Sequence, residues 1–306
     1  MSATLLLLAW AAPLVAAAFA LTRTGRWLQA LAAVPALAAA LAVPVGSQAP
    51  LPWLLLGTRF GLDPTGRVFL LFTAVLWLVA GLQAALTMRD DASAGRFRVF
   101  YLLAMSGNFW LIVGQDLVSF YLGFSLMGLA AYGLVIHKGD AAALGAGRVY
   151  LIMTLVAEVA LFVAFLLIAR HAESLAPSQE QLVGLGGWAI GGLVLALAIK
   201  AGLVPLHVWL PLAHPAAPVP ASAVLSGAMI KAALIGWMRF LPIGDPALTG
   251  WGILLVSAGS VSVLYAVAVG VLQTNPKVVL AYSSVGKMGL MSMLLGVALM
   301  EPLLAA

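Results

Sequence analysis

Long apolar segments constrain the possible folds of this chain more than any other feature of its sequence. A helix that spans a membrane needs about 20 consecutive, mostly apolar residues, and ten segments meet this requirement. These segments are 2–21, 27–45, 67–87, 97–114, 116–136, 149–169, 184–204, 219–241, 250–272 and 278–299. Because lipid offers no hydrogen bonds to the backbone, we predict an all-α polytopic membrane protein with about ten transmembrane helices, forming a single membrane domain over residues 1–306.

The composition agrees with a membrane protein and excludes several functions. Hydrophobic residues make up 64% of the chain and charged residues only 8%, whereas a soluble domain is about a quarter charged. The net charge of +5 is carried by basic loops and does not indicate nucleic-acid binding. The sequence contains no cysteine, which excludes a disulfide, a thiol nucleophile and an iron–sulfur site with cysteine ligands in residues 1–306.

The basic residues in the connections predict an orientation. The odd-numbered connections are rich in them, with Arg23, Arg26, Arg89, Arg96, Arg98, Lys138, Arg148 and Lys277. The even-numbered connections have fewer, with Arg59, Arg67 and Arg170. The positive-inside rule places the odd connections in the cytoplasm. We therefore expect a multi-pass protein of the bacterial inner membrane with both termini in the periplasm, and a short segment 51–66 that lies along the outer surface.

The segment 198–240 is apolar at both ends and rich in proline in its middle. Its prolines are Pro205, Pro211, Pro215, Pro218 and Pro220. We predict that its first helix is interrupted between Ala201 and Pro211, because Pro205 has no backbone N–H and clashes with the carbonyl of Ala201. Within lipid, such an interruption persists only where protein or a water cavity satisfies the freed backbone.

Four ionisable residues lie inside predicted spans. Glu158, Lys231 and Lys287 fall near the middle of a span, and Lys200 lies close to the interruption. Such a residue costs about 2.5–3.5 kcal/mol at a helix centre, and by default it marks an ion or proton pathway. The structural alternatives are a carboxylate that joins two helices, for Glu158, and a side chain that reaches toward the interface, for the lysines. His207, inside the interruption, is a candidate proton relay.

No spacing in the sequence indicates a metal or cofactor site. There is no HExxH motif and no cluster of carboxylates, which are the usual signatures of zinc and calcium sites. His137 and His171 lie in loops and His214 lies near the predicted cytoplasmic surface. We assign no function to these three histidines and expect no cofactor.

Four segments of the sequence resemble a known family. They are IKAGLVPLHVWLPLAHPAAPVPASAVLSGAMIKAALIGWMRF (199–240), VLQTNPKVVLAYSSVGKMGLM (271–291), DLVSFYLGFSLMGLAAYGLVI (116–136) and LDPTGRVFLLF (62–72). Together they are similar to the antiporter-like membrane subunits of respiratory complex I, Mrp-type sodium/proton antiporters and energy-converting membrane hydrogenases. The segments follow the family's order across most of the chain.

The resemblance implies roles for three residues. Lys200 matches the lysine of the family's broken seventh helix, Lys231 matches the lysine of the eighth, and His207 falls in the family's PLH-x-WLP motif. In the family the lysines pass charge toward the membrane centre. The motif SGAMIK favours the hydrogenase and Mrp branches. The implied protein is a subunit of a proton-translocating oxidoreductase or antiporter complex, with no redox or hydrolytic centre of its own.

The chain departs from the family in two ways. Ser125 stands where the fifth helix normally carries the glutamate that pairs with the seventh-helix lysine. The chain also matches only part of the family's two inverted repeats. On this reading, residues 1–95 are N-terminal helices, 96–241 the complete first repeat and 242–306 the start of a truncated second repeat.

These departures leave more than one function open. We expect a proton- or cation-translocating subunit with a half-channel built on Lys200, Lys231 and Glu158. Glu158 either has taken over the missing carboxylate's role or is an acidic residue that the family already carries near this position of its sixth helix. Its partners would be other membrane subunits, including another antiporter-like chain, and not nucleic acid. The alternatives are a structural membrane-arm subunit without transport, and the membrane partner of an inorganic-carbon uptake complex.

Overall fold

A computed structural model describes residues 1–22 and 25–300, and these residues are mainly helical. Arg23, used above for the orientation, lies outside the described residues. The helices are α1 (Ser2–Ala18), α2 (Gly25–Leu31), α3 (Val34–Ala42), α4 (Pro64–Thr87), α5 (Ala94–Val113), α6 (Leu117–Val135), α7 (Ala141–Ala172), α8 (Gln179–Leu182), α9 (Gly187–Ala201), α10 (Trp209–Ala216), α11 (Val219–Gly227), α12 (Ala232–Phe240), α13 (Thr249–Gly270) and α14 (Pro276–Met300). Two 3-10 turns, Met229–Lys231 and Pro246–Leu248, and two strands complete the described elements.

The helices match the predicted spans one by one. Seven helical segments are long and apolar enough to cross a membrane, and they are Gly25–Ala42, Pro64–Thr87, Leu117–Val135, Ala141–Ala172, Val219–Phe240, Pro246–Gly270 and Pro276–Met300. The other three predicted spans correspond to α1 and α9, which are apolar but shorter, and to α5. The predicted class, an all-α polytopic membrane protein, is confirmed.

The all-α prediction overlooked one small element. Strands β1 (Gln48–Leu51) and β2 (Thr58–Gly61) pair antiparallel, partly within the segment 51–66 that was expected to lie along the surface. Gly57, just before β2, has a φ of 90°, a value that glycine adopts without steric cost. Each strand has only four residues, too few for an alternating pattern to stand out in the sequence.

The chain divides into two compact units. The first unit contains Met1–Gly147 and Ala216–Ala232, and the second contains Arg148–Pro215 and the chain from Ala233 onward. Helices α7 and α10 and the segment α11–α12 each cross from one unit to the other.

In the first unit, buried polar groups bond to one another across helices. The indole N–H of Trp77 on α4 donates to Asn108 Oδ1 on α5 at 2.9 Å. The Tyr101 hydroxyl donates to the Trp77 carbonyl, also at 2.9 Å. Helices α5 and α6 approach closely at Gly123, where an added Cβ would lie 2.5 Å from the backbone nitrogen of Leu111. The interior of this unit is therefore tightly packed and hydrogen-bonded.

In the second unit, α13 and α14 pack against each other through pairs of glycines. An added Cβ on Gly259 would lie 2.5 Å from the carbonyl oxygen of Gly289, and one on Gly289 would lie 2.7 Å from the carbonyl oxygen of Gly259. Gly252 and Gly296 make the same reciprocal approach, at 2.7 and 2.6 Å. Such small residues let membrane helices gain dispersion contacts that bulkier residues prevent.

The glycine contact predicts a position-specific loss of stability. Gly259→Ala should destabilise the protein by about 1–3 kcal/mol, because the methyl group overpacks the contact between the helices. Gly250→Ala is the matched control on the same helix, since its added Cβ would meet no atom within 4 Å. Thermal unfolding in detergent should show a lower midpoint for Gly259→Ala alone. Equal midpoints for the two variants would contradict this packing.

Candidate functional site

The interruption of the helix that carries Lys200 lies where the sequence predicted it. Helix α9 ends at Ala201, the segment 202–208 is not helical, and α10 begins at Trp209. The prediction of an interruption between Ala201 and Pro211 is therefore confirmed. Its cause differs in part from the one proposed, because the helix already ends before Pro205 is reached.

Gly202 ends the helix. It has φ 73° and ψ 41°, the left-handed conformation, and its N–H donates to the Ile199 carbonyl at 3.1 Å and to the Ala198 carbonyl at 3.0 Å. The Leu203 N–H donates to the same carbonyl at 3.1 Å. This arrangement is the Schellman motif, which favours glycine in the left-handed position. Proline then prevents the chain from resuming the same helix.

Side chains from neighbouring helices satisfy backbone groups at the interruption. The Trp209 indole N–H donates to the Ile199 carbonyl at 2.8 Å. The Val204 N–H donates to Ser262 Oγ at 2.9 Å, and Ser262 is fully buried on α13. The interruption is therefore held in a defined shape by α10 and α13, as the backbone requires in a medium without water.

Two opposite charges are buried next to this interruption. Lys200 lies in the last turn of α9 and Glu158 lies near the middle of α7, and each is only 6% exposed. The Glu158 carboxylate interacts electrostatically with the Lys200 ammonium. The C-terminal end of α9 also favours a cation, because the carbonyls of the last turn carry partial negative charge. The buried ammonium is thus compensated from two directions.

A line of polar side chains leads along α7 to Glu158. Tyr150, Thr154 and Glu158 are buried and are spaced four residues apart, so they share one face of the helix. The Tyr150 hydroxyl interacts with Thr154 and with the charge of Glu158. The Tyr150 ring packs edge-on against Trp209 at 5.4 Å. Tyr150 was not predicted, although its four-residue spacing from Thr154 and Glu158 is visible in the sequence.

His207 lies within the interruption and packs against two tyrosines. Its ring centroid is 5.0 Å from that of Tyr265 on α13 and 6.2 Å from that of Tyr282 on α14. His207 as a whole is 6% exposed, so its imidazole is held in the protein interior beside these rings. The two tyrosines were not predicted, because nothing in their local sequence indicates that they meet His207.

Lys231 belongs to the first unit and lies in a distorted part of its helix. The 3-10 turn Met229–Lys231 separates α11 from α12. The ammonium Nζ of Lys231 donates to the Ser226 carbonyl at 2.6 Å. The sequence predicted one continuous span from 219 to 241, and the short turn places the lysine against a backbone carbonyl of its own segment.

The remaining two candidates occupy different environments. Ser125 is half-buried on α6 in the first unit. Lys287 is exposed on α14 in the second unit, where it lines a groove of about 390 Å³ together with Tyr282 and Ser283. Within the second unit, the structure therefore brings Glu158 and Lys200 together and leaves Lys287 on an outer face.

A histidine that received no role from the sequence forms a hydrogen bond between two loops. His137 Nε2 lies 2.8 Å from Asp91 Oδ2, and Arg96 donates to the His137 carbonyl at 2.8 Å. The hydrogen bond to His137 holds the pKa of Asp91 below its ordinary value. The pair joins the connection before α5 to the connection after α6. Among the residues with described coordinates, no group of His, Asp and Glu is arranged to hold a metal ion.

Comparison with known proteins agrees with this architecture. A sequence profile described as NADH:quinone oxidoreductase/Mrp antiporter, TM, matches residues 114–303. Hydrogenase-4 component B of Escherichia coli (strain K12) is 32% identical over 257 residues, which cover 78% of this chain and 37% of that protein. The chain therefore spans well under half of the length of this relative.

Two solved structures share the fold. A chain of the membrane-bound sulfane sulfur reductase, an archaeal respiratory membrane complex, has a TM-score of 0.81 at 22% identity, covering 96% of this chain and 65% of that one. A chain of the Mrp complex from Dietzia sp. DQ12-45-1b has a TM-score of 0.80 at 21% identity, covering 97% of this chain and 34% of that one. At these identities the likeness establishes the fold alone.

The hydrogen bond between Ser262 and Val204 predicts a local effect at the interruption. Ser262→Ala should cost about 1–3 kcal/mol, because it leaves the Val204 N–H without its partner. Ser260→Ala is the matched control, since the Ser260 hydroxyl bonds to the Val256 carbonyl within its own helix. Hydrogen–deuterium exchange at Val204 should become faster in the Ser262 variant alone. Unchanged exchange there would show that the bond does not hold the interruption.

Proposed function

The chain belongs to the NADH:quinone oxidoreductase/Mrp antiporter family of membrane subunits, and we propose that it is a proton- or cation-translocating subunit of a larger ion-pumping membrane complex. The observation that carries this proposal is the buried pair of Glu158 and Lys200 beside an interrupted helix. A helix with a purely structural role needs neither buried charges nor an interruption. Both are costly in lipid and mark pathways where they occur.

The half-channel would work through changes in the strength of this charge pair. While Glu158 is ionised, it stabilises the protonated Lys200. A buried charge without a partner is strongly disfavoured, so any event that weakens the pair favours release of the proton from Lys200. The Tyr150 hydroxyl and Thr154, on the same face of α7, provide further groups along which a proton can move. Titration then belongs to the coupled set of groups and not to one residue.

Glu158 takes the place of the carboxylate that is missing at Ser125 in this proposal. A serine cannot serve as a counter-ion, and a buried ammonium needs one. The electrostatic interaction between Glu158 and Lys200 supports this assignment. We further assign Lys231, His207 and Lys287 to the same pathway.

The proposed partners are other membrane subunits, including another antiporter-like chain. The relatives named above support this, because hydrogenase-4 component B and the two solved structures are components of multi-subunit assemblies by their descriptions. The chain has no proposed redox centre of its own, so the driving reaction would take place elsewhere in the complex. We propose the bacterial inner membrane as its location, with both termini in the periplasm.

One observation favours a second function, that of a structural subunit without transport. Ser125 has replaced the carboxylate that the family places on the fifth helix. A subunit that had lost transport would tolerate this replacement, because Lys200 could then remain a neutral amine, which needs no counter-ion. The two functions differ in their dependence on Glu158, and the following experiment separates them.

Transport should require both members of the buried pair. In vesicles that contain the assembled complex, Lys200→Met and Glu158→Gln should each lower proton translocation at least tenfold, because each removes one charge of the proposed relay. Lys138→Met is the matched control, since Lys138 is an exposed loop lysine. A double variant that combines Glu158→Gln with Ser125→Glu should recover part of the activity, because it returns a carboxylate to α6, the helix that corresponds to the family's fifth helix.

Assembly of each variant must be verified by purification of the complex before transport is compared. Wild-type rates for Lys200→Met and Glu158→Gln in an intact complex would refute the half-channel and leave the structural function. A loss for Lys200→Met with no loss for Glu158→Gln would refute only the replacement of the fifth-helix carboxylate by Glu158.

A further inference from the structure

A single backbone carbonyl brings two arginines together just after the end of α1. The Nε of Arg98, on α5, donates to the Ala20 carbonyl at 2.6 Å. Gly25, the first residue of α2, packs against the same carbonyl, because a Cβ added to Gly25 would lie 2.5 Å from the Ala20 oxygen. Arg26 follows Gly25 directly, and its positive charge acts on the Arg98 guanidinium. Helices α1, α2 and α5, all in the first unit, therefore hold two positive charges close to each other.

These two charges have no acidic partner in the part of the chain that the structure describes. Within residues 1–22 and 25–300, neither Arg26 nor Arg98 has a carboxylate oxygen within 4.0 Å. A guanidinium has five N–H donors, and Arg98 uses only its Nε, for the Ala20 carbonyl. The Arg26 guanidinium lies over the Trp27 ring at 5.2 Å, a contact with the face of the ring that uses no oxygen acceptor. The terminal N–H groups of both arginines are therefore available to an anion.

The two arginines lie at the level of a membrane surface. Helix α1 has 17 residues and is about 25 Å long, so its end lies near the boundary of a hydrocarbon core that is about 30 Å thick. Trp27 is 42% exposed and Leu21 is 73% exposed at this end. Tryptophan is enriched at this depth, where its ring lies between acyl chains and headgroups. An anion bound by Arg26 and Arg98 would therefore have lipid beside it.

A third arginine of the same unit shows what capping of a helix end alone requires. Arg67, on α4, donates from Nε to the Ala40 carbonyl at 2.9 Å and from Nη2 to the Leu41 carbonyl at 3.3 Å, both at the end of α3. Two nitrogens of this guanidinium are thus bonded to protein. Arg98 makes the same kind of contact with one nitrogen. Capping of α1 therefore explains the position of Arg98, because cations favour helix C-termini, but it does not explain why Arg26 lies beside it.

We propose that Arg26 and Arg98 form a binding site for the phosphate group of an anionic phospholipid. Planar guanidinium groups bind phosphate oxygens through paired hydrogen bonds, and basic pockets between membrane helices bind anionic headgroups. Trp27 and Leu21 contact the acyl chains of the same lipid molecule. The site contains none of the residues assigned to the ion pathway, so the inference goes beyond the proposed function and does not depend on transport.

Photo-cross-linking of the intact complex tests the site with a lipid of known headgroup. The complex is reconstituted in phosphatidylcholine vesicles with a trace of phosphatidylglycerol that carries a photoreactive group on one acyl chain. Mass spectrometry should locate adducts on the peptide that contains Leu21 and Trp27. Excess unlabelled phosphatidylglycerol should displace the probe, whereas inorganic phosphate should not. A photoreactive phosphatidylcholine should label this peptide much less, because its headgroup has no net charge.

Substitution of Arg26 tests the contribution of its charge. Arg26→Gln should lower labelling by phosphatidylglycerol about fivefold, the effect of removing one basic residue near an anionic headgroup, and Arg26→Lys should retain most of the labelling. Arg89→Gln is the matched control, because Arg89 is an exposed arginine in the connection before α5. Arg98 is left unchanged, since its bond to the Ala20 carbonyl also joins α5 to the end of α1.

Several results would overturn the site. Equal labelling of Arg26→Gln and the unmodified protein, equal labelling by the two lipids, or no adduct on the peptide that contains Leu21 and Trp27 would each refute it. Displacement of the probe by inorganic phosphate would show that the arginines bind free phosphate and would refute the assignment to a lipid. If Lys200→Met leaves transport intact while Arg26→Gln lowers labelling, the lipid site stands and the transport proposal fails.

Discussion

The energetic cost of a buried charge is the constraint on which the second unit depends. Lys200 can remain an ammonium within the protein because the Glu158 carboxylate and the C-terminal carbonyls of α9 compensate it. The end of α9 must therefore lie beside Lys200, and Gly202 sets it there. The end in turn frees backbone groups, which Trp209 and Ser262 satisfy. The buried charge of Lys200, the end of α9 and the hydrogen bonds from Trp209 and Ser262 therefore depend on one another.

The same reasoning separates the other lysines. Lys231 has a backbone carbonyl within hydrogen-bond distance, supplied by the 3-10 distortion of its own segment. Lys287, in contrast, is exposed on α14. Lys200 and Lys231 are therefore compensated in two different ways, the first by a carboxylate and the second by a backbone carbonyl.

Local sequence patterns predicted the spans, the interruption and the candidate charges, because each of these depends on hydropathy, proline or an isolated charge. They did not predict the left-handed Gly202, since Pro205 offered a sufficient reason for the same interruption. Ser262 and Tyr265 were missed because their importance comes from contacts with residues more than fifty positions away. The β-hairpin was missed because its strands are too short to show alternation. The contacts of Ser262 and Tyr265 could not be predicted because they join residues that are far apart in the sequence.

The protonation state of Glu158 tests the central claim most directly, because it reports on the pair itself. Infrared spectroscopy of the assembled complex detects a protonated carboxyl group by its C=O stretch, and Glu158→Gln identifies the band that belongs to Glu158. If Lys200 is the counter-ion, this band should be absent from the unmodified protein at neutral pH and should appear in Lys200→Met, because the carboxylate then loses its partner. A Glu158 band that is the same with and without Lys200 would contradict the account.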